Sequence, residues 1–229
     1  MRELRFVYVV TSPYAFAIPL SDEQLVQEAN PLCFFSHLTA LVHHNVTDIV
    51  PNRLYASTAA PDTQRLPLGT TAEDWIDFAF PVAQQPAEVN EVPVIWSRPR
   101  NEVGVEVAHR QGASIYVTDL ERTLLDVLRE PQKAHGITTV LQAWRQASEH
   151  WDLARLLQYA DEGPVMRQRV GYLVERLGQR HPVLAEWKTR LQRGGSLRLL
   201  GTEPYAQTYS DVWNLSLNVP DSVLGVLDD

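Results

Sequence analysis

Cysteine is nearly missing from this chain of 229 residues, where Cys33 stands alone. No disulfide can close within the chain, and a zinc site built on paired cysteines is excluded. Lysine is almost as scarce: it occurs only at Lys133 and Lys188, and the remaining basic residues are arginine. After Arg198 there is no lysine or arginine at all, while Glu203, Asp211, Asp221, Asp228 and Asp229 follow. No stretch approaches the roughly 18 apolar residues needed to span a bilayer as a helix. The first residues, Met1 to Arg5, lack the basic region, apolar core and cleavage site of a secretory signal, so a cytoplasmic location is expected. A glycine-rich phosphate loop, a GxSxG elbow and an HExxH pair are also missing, so neither an enzyme of those classes nor a bound cofactor is expected.

What is present is an ordinary globular composition, 45% hydrophobic and 21% charged, with a net charge of −8. That charge disfavours non-specific attraction to nucleic acid. The acidic C-terminal end reads first as a solvated face and second as a patch for a basic partner. Cys33, between Leu32 and Phe34, reads as a small core residue.

Hydrophobic periodicity divides the chain into a β-rich half, residues 1–113, and a helical half, residues 114–229, with closing strands. The two halves are expected to form one compact unit. Leu4 to Val10, Arg53 to Thr58, Ile76 to Val82, Val92 to Ser97 and Val103 to His109 read as strands. In the last of these, Val103, Val105 and Val107 alternate with Gly104, Glu106 and Ala108, the period of a half-buried strand. Ser21 and Gln24 form a capping box opening a helix through Ala29. Phe34 to His44 reads as an apolar helix closed near Asn45. The second half carries helical patterns over Thr118–Arg129, Ile137–Ser148, Asp152–Asp161, Pro164–Leu177 and Pro182–Gln192, with Pro164 and Pro182 where a first turn tolerates proline. Ser196–Leu200 and Val212–Val219 close the chain as strands, Trp213, Leu215, Leu217 and Val219 sharing one face. The fold class is therefore α/β of the α+β type.

The segment Tyr116 to Leu128 is the most informative. A β-type run feeds a helix start at Thr118, which pairs with Glu121 as a capping box. Leu120, Leu124, Val127 and Leu128 form one apolar stripe. Arg122 is three residues from Asp119 and four from Asp126, so all three can share a face as a buried ion-pair cluster. On that reading, Arg122→Ala strands buried carboxylates and costs about 3–5 kcal/mol.

Val117-Thr118-Asp119-Leu120-Glu121-Arg122-Thr123-Leu124-Leu125-Asp126-Val127-Leu128 resembles the signature of the AbiEi family, antitoxins of abortive-infection type IV toxin–antitoxin systems. Ser36-His37-Leu38-Thr39-Ala40-Leu41 and His44-Asn45-Val46-Thr47-Asp48 through Val50-Pro51-Asn52-Arg53 resemble its "SH-x-SAL…HGLTD-x-VP" segment. Trp213 to Val219 resembles its closing strand. This chain has Asn45 where the family usually has glycine; asparagine also tolerates a left-handed helix end. The resemblance implies a non-enzymatic antitoxin that counters a nucleotidyltransferase toxin in phage defence, without requiring a stable complex. It singles out His37, Arg53, Asp119, Arg122 and Asp126 as structural or partner-binding residues. It also implies an N-terminal winged helix that reads operator DNA, but too few residues precede Ser36 to build one, and no recognition helix is evident. Autonomous DNA binding is therefore not expected here.

Two other function classes remain open in the sequence. A transcriptional regulator could use Arg167, Arg169 and Arg176 for phosphate or partner contact, although pairing with Glu175, Glu186 and their neighbours accounts for these arginines better. A nuclease could use Arg145 and His150, spaced as in HEPN ribonucleases, or Glu186 and Lys188, which spell ExK but in a helical pattern that turns them to different faces. The histidines at 37, 43 and 44 lack a companion carboxylate on their helix, so no metal site is expected.

Overall fold

The structure, a computed structural model, describes residues 20–61, 63–77, 83–99, 101–110, 113–191 and 197–228. The strand expected at Leu4–Val10 and most of that at Ile76–Val82 lie outside these residues. The chain is mixed α/β and divides into two units, one of Met1–Ala40 with Val50–Asp119, the other of Leu41–Ile49 with Leu120–Asp229.

The first unit holds helix α1 (Asp22–Ala29) and a six-stranded sheet made of β1 (Phe34–Phe35), β2 (Leu54–Ser57), β3 (Glu88–Val89), β4 (Val92–Ser97), β5 (Val105–Arg110) and β6 (Ala113–Thr118). The order is β3-β4-β2-β1-β6-β5. β1 runs parallel to β6 and β2 parallel to β4; the other neighbours are antiparallel. The capping box of α1 forms as expected, Gln24 N–H donating to Ser21 Oγ at 3.3 Å and Ser21 N–H to Gln24 Oε1 at 2.8 Å. The core gathers Val26 of α1, Cys33, Phe35, Ala56, Val94, Ile115 and Val117. The buried amide of Gln27 ties the turn after α1 to the sheet: Nε2 donates to Pro31 O at 2.9 Å and Cys33 O at 3.2 Å, and Oε1 accepts Tyr116 N–H at 2.9 Å.

One expectation fails in this unit. Phe34 and Phe35 form a strand, not the start of a helix, because their backbone pairs with Ser57 and Ala56 and with Val117. Helix α2 (His37–His43) begins only after them. On β5 the buried residue is Ala108, opposite Ile115, while Val107, and Val103 ahead of the strand, remain 45% and 48% exposed. β5 is an edge strand, and its register with β6 decides which face meets the core; alternation alone cannot.

The second unit contains α3 (Leu120–Arg129), α4 (Ile137–Ala147), α5 (Leu153–Ala160), α6 (Pro164–Arg176), α7 (Pro182–Thr189) and a short α8 (Asp221–Leu224). A small sheet of β7 (Leu197–Arg198), β8 (Tyr209–Ser210) and β9 (Leu215–Ser216) has the order β7-β9-β8. α3 packs on α4 and α5, α5 on α6, and α6 on α7. Trp144 is fully buried, its indole N–H donating to Leu124 O at 3.1 Å. Trp213, Leu215, Leu217 and Val219 are buried as expected, although only Leu215 and Ser216 pair as a strand. Among the described residues, no helix is long and apolar enough to cross a membrane.

Candidate functional site

His37 sits where β1 gives way to α2. Its φ of 51° is left-handed, a conformation uncommon outside glycine and one in which histidine is over-represented. Ser36 Oγ lies 2.8 Å from His37 Nδ1 and 3.4 Å from Ser57 Oγ, and the His37 ring meets Tyr55 with centroids 6.1 Å apart. Thr39 Oγ1 accepts Tyr55 N–H at 2.8 Å, and Ser36 N–H donates to Tyr55 O at 3.1 Å. Ser36, His37, Thr39 and Ser57 are all buried. This polar knot joins β1 to β2 through paired donors and acceptors, and its strained corner fixes where α2 departs.

The end of α2, in the second unit, is a Schellman motif. Val46 N–H reaches Leu41 O at 3.1 Å and Asn45 N–H reaches Val42 O at 3.2 Å. Asn45 takes φ 55°, and Leu41 and Val46 are both buried. The site that the AbiEi segment fills with glycine thus has the backbone conformation that glycine serves.

α3 begins at Leu120, two residues later than expected, because Thr118 is still in β6. The Thr118 hydroxyl donates to Phe35 O at 3.4 Å. Glu121, buried at 4% exposure, does not act as the second half of a local capping box; it accepts Asp152 N–H at 2.7 Å and so fixes the entry of α5. Asp152 in turn caps α5, its carboxylate accepting Arg155 N–H at 3.0 Å. Asp119 is buried at the position just before Leu120, where the free N–H groups of a helix start favour a carboxylate.

Arg122 Nε donates to Asp126 Oδ1 at 2.8 Å, and Arg129 Nη1 reaches the same oxygen at 3.0 Å. Arg129 also pairs with Glu162. Asp126 is therefore a hub held between two guanidiniums. Arg53 lies apart on the surface of the first unit, its Nε donating to Asn52 Oδ1 at 3.2 Å, and Val50 nearby in sequence is 87% exposed.

The three arginines of α6 do not form one common face of spare cations. Arg167 pairs with Asp161 at 2.5 Å. Arg169 is buried and donates to Arg198 O at 2.9 Å. Arg176 forks onto Asp228 with contacts of 3.0 and 2.6 Å and also reaches the Tyr172 hydroxyl. Lys188 of α7 pairs with Glu175, while Glu186 faces Arg190 at 3.6 Å, so the ExK spelling does split between faces. His150 is exposed in the turn after α4. Among the described residues, no group of three or more His, Cys, Asp or Glu side chains is placed to hold a metal ion.

Arg65 carries no motif or periodicity in the sequence, yet it is the centre of a buried cluster. Its guanidinium lies between the rings of Phe34 and Tyr116, 5.0 and 4.7 Å from their centroids. It donates to Leu32 O at 2.6 Å and to Glu102 at 3.1 Å. Glu102 also accepts Ala60 N–H at 2.7 Å and the Thr63 hydroxyl at 2.6 Å, and the Tyr116 hydroxyl donates to Leu66 O at 2.7 Å. This strap fastens Ala60, Thr63, Arg65 and Leu66 to the sheet. Burial pulls the Arg65 pKa down, against the opposing pull of Glu102. Burial also pushes the Cys33 thiol up to about 12. The only trace of the strap in the sequence is an arginine in a proline-rich loop.

No protein-family model and no curated protein matches the chain. Among solved structures, the fold resembles that of the Rv2827c protein from Mycobacterium tuberculosis, with a TM-score of 0.57 at 13% identity over 96% of this chain and 72% of that one. The likeness is one of fold.

Proposed function

We propose that this protein is an antitoxin of the AbiEi type, counteracting a nucleotidyltransferase toxin in phage defence without catalysis of its own. The observation that carries the reading is Asn45. The departure at Asn45 from the family's usual glycine falls at a left-handed helix end, φ 55°, inside a complete Schellman motif. Asparagine there meets the backbone requirement that glycine meets in the family segment. His37, Asp119 and Asp126 are buried, which fits the structural role that the resemblance gives them. Arg53 differs from these: it is exposed, with exposed Val50 three residues before it, and it is the motif residue best placed to meet a partner.

The test is growth rescue on co-expression of the chain with a nucleotidyltransferase toxin encoded beside it. Rescue by the parent is expected, with Arg53→Ala weakening rescue while leaving the melting temperature unchanged. Absence of rescue by soluble parent protein overturns the reading.

A further inference from the structure

The segment Gly201–Tyr209 is exposed at every residue, yet its backbone is closely held. Asn218 Nδ2 donates to Leu200 O at 2.8 Å and to Glu203 O and Pro204 O at 3.0 Å each, while Asn218 Oδ1 accepts Leu200 N–H at 2.9 Å. Arg198 donates to Glu203 O at 2.9 Å and lies 5.2 Å over the Tyr205 ring. Ala206 N–H reaches Ser216 Oγ and Leu217 N–H reaches Thr208 O, each at 2.9 Å. So much hydrogen bonding fixes a strap that buries none of its own side chains. Between this strap and residues 217–221 runs a groove of about 380 Å³, within the range of roughly 300–1,000 Å³ seen for ligand clefts.

The charged side chains that line the groove are Glu203 and Asp221, while the Arg198 guanidinium stands outside the lining, against Glu203 O and the Tyr205 ring. Pro204, Ala206, Val219 and Pro220 supply apolar walls, Tyr205 an aromatic one, and Glu203 and Asp221 the rim. No lysine or arginine follows Arg198 in the chain. The ion pairs among the described residues do not involve Glu203 or Asp221. An anionic ligand would meet two carboxylates, and a purely apolar one would desolvate them without compensation.

We propose that this groove is the docking site of a basic, extended protein segment whose arginine or lysine stems lie on the proline and valine walls and whose cationic heads meet Glu203 and Asp221. Arginine fits best, because its planar fork suits a carboxylate. The strap is already ordered, so docking loses little entropy there. The acidic C-terminal stretch also steers a basic partner toward the groove. The inference stands whether or not the antitoxin reading holds.

The test uses the full chain and a fluorescein-labelled peptide of three arginines alternating with leucine, followed by fluorescence anisotropy, with amide NMR shifts recorded alongside. Saturable binding is expected, with shifts centred on residues 203–221. A peptide with glutamate in place of arginine should not bind. The E203Q/D221N double variant should weaken binding roughly tenfold, as two partly exposed charge pairs would, whereas Asp211→Asn, exposed but outside the groove, should change it by less than about twofold. Because all three carboxylates are exposed, unchanged melting temperatures will show that the variants fold. Absence of binding, shifts spread over the surface, or equal weakening by Asp211→Asn would each overturn the proposal.

Discussion

Gly171 lies in the middle of α6, where glycine costs about 1 kcal/mol relative to alanine. An alanine there would ordinarily stabilise the protein. The structure predicts the opposite. A Cβ built on Gly171 would fall 2.2, 2.3 and 2.6 Å from three carbons of the Trp213 six-membered ring. Trp213 has little room to retreat: it is 2% exposed, its indole N–H donates to Glu175 Oε2 at 2.8 Å, and the Lys188 ammonium lies 5.1 Å over its ring. Restoring ordinary carbon contact requires a shift of about 1 Å or more. Overpacking of this kind costs about 1–3 kcal/mol, and displacing a buried tryptophan costs more, so after the propensity gain Gly171→Ala should lose about 2 kcal/mol. For a chain of this size that is a fall of about 4–8 °C in melting temperature. The cleaner assay is a double-mutant cycle in urea, followed by circular dichroism. Trp213→Phe removes the ring carbons that clash, so adding Gly171→Ala in that background should be neutral or stabilising by up to about 1 kcal/mol. A Gly171→Ala protein as stable as the parent, or a cycle without coupling, would refute the seating of Trp213 against α6.

Two further perturbations follow from buried groups. Arg122→Ala should cost about 1.5–3 kcal/mol by urea denaturation, less than the sequence alone suggests, because Arg129 still partners Asp126; Asp126→Ala, which releases both guanidiniums from their shared oxygen, should cost more, and the reverse order would remove Asp126 as the hub. The folded Cys33 thiol holds its proton up to about pH 12 against an ordinary value of 9.0, so its contribution is whole below pH 9 and is lost as pH rises towards 12. Stability should therefore decline above pH 9 with a slope of up to about 1.4 kcal/mol per pH unit from this group. Tyr116, raised mainly by burial, begins to contribute only above its ordinary value of 10.0, so the interval from pH 9 to 10 isolates Cys33. Cys33→Ala should flatten the stability profile there, and a slope that survives the substitution contradicts the burial of the thiol.

Much of this architecture is legible in local chemistry. The capping box at Ser21, the start of α6 at Pro164 and that of α7 at Pro182, and the left-handed end at Asn45 depend on residues within one turn of each other, so the sequence alone determines them. The apolar stripe of α3 and the inward face of Trp213, Leu215, Leu217 and Val219 are periodic patterns and equally plain. Partner choice was not legible. Phe34 and Phe35 suit helix or strand, and the strand is selected by β2 and β6, far along the chain. Thr118 and Glu121 have the spacing of a local cap, but Thr118 bonds Phe35 and Glu121 bonds Asp152. Val107 and Ala108 compete for the core face of β5, and the register with Ile115 settles it for Ala108. The Arg65 strap draws on residues 32, 34, 102 and 116, and the exposed strap near Asn218 on hydrogen bonds spanning 14 to 18 residues. Short-range order follows from propensities and caps that act within a few residues, whereas ion pairs, strand neighbours and grooves require side chains that only tertiary packing brings together.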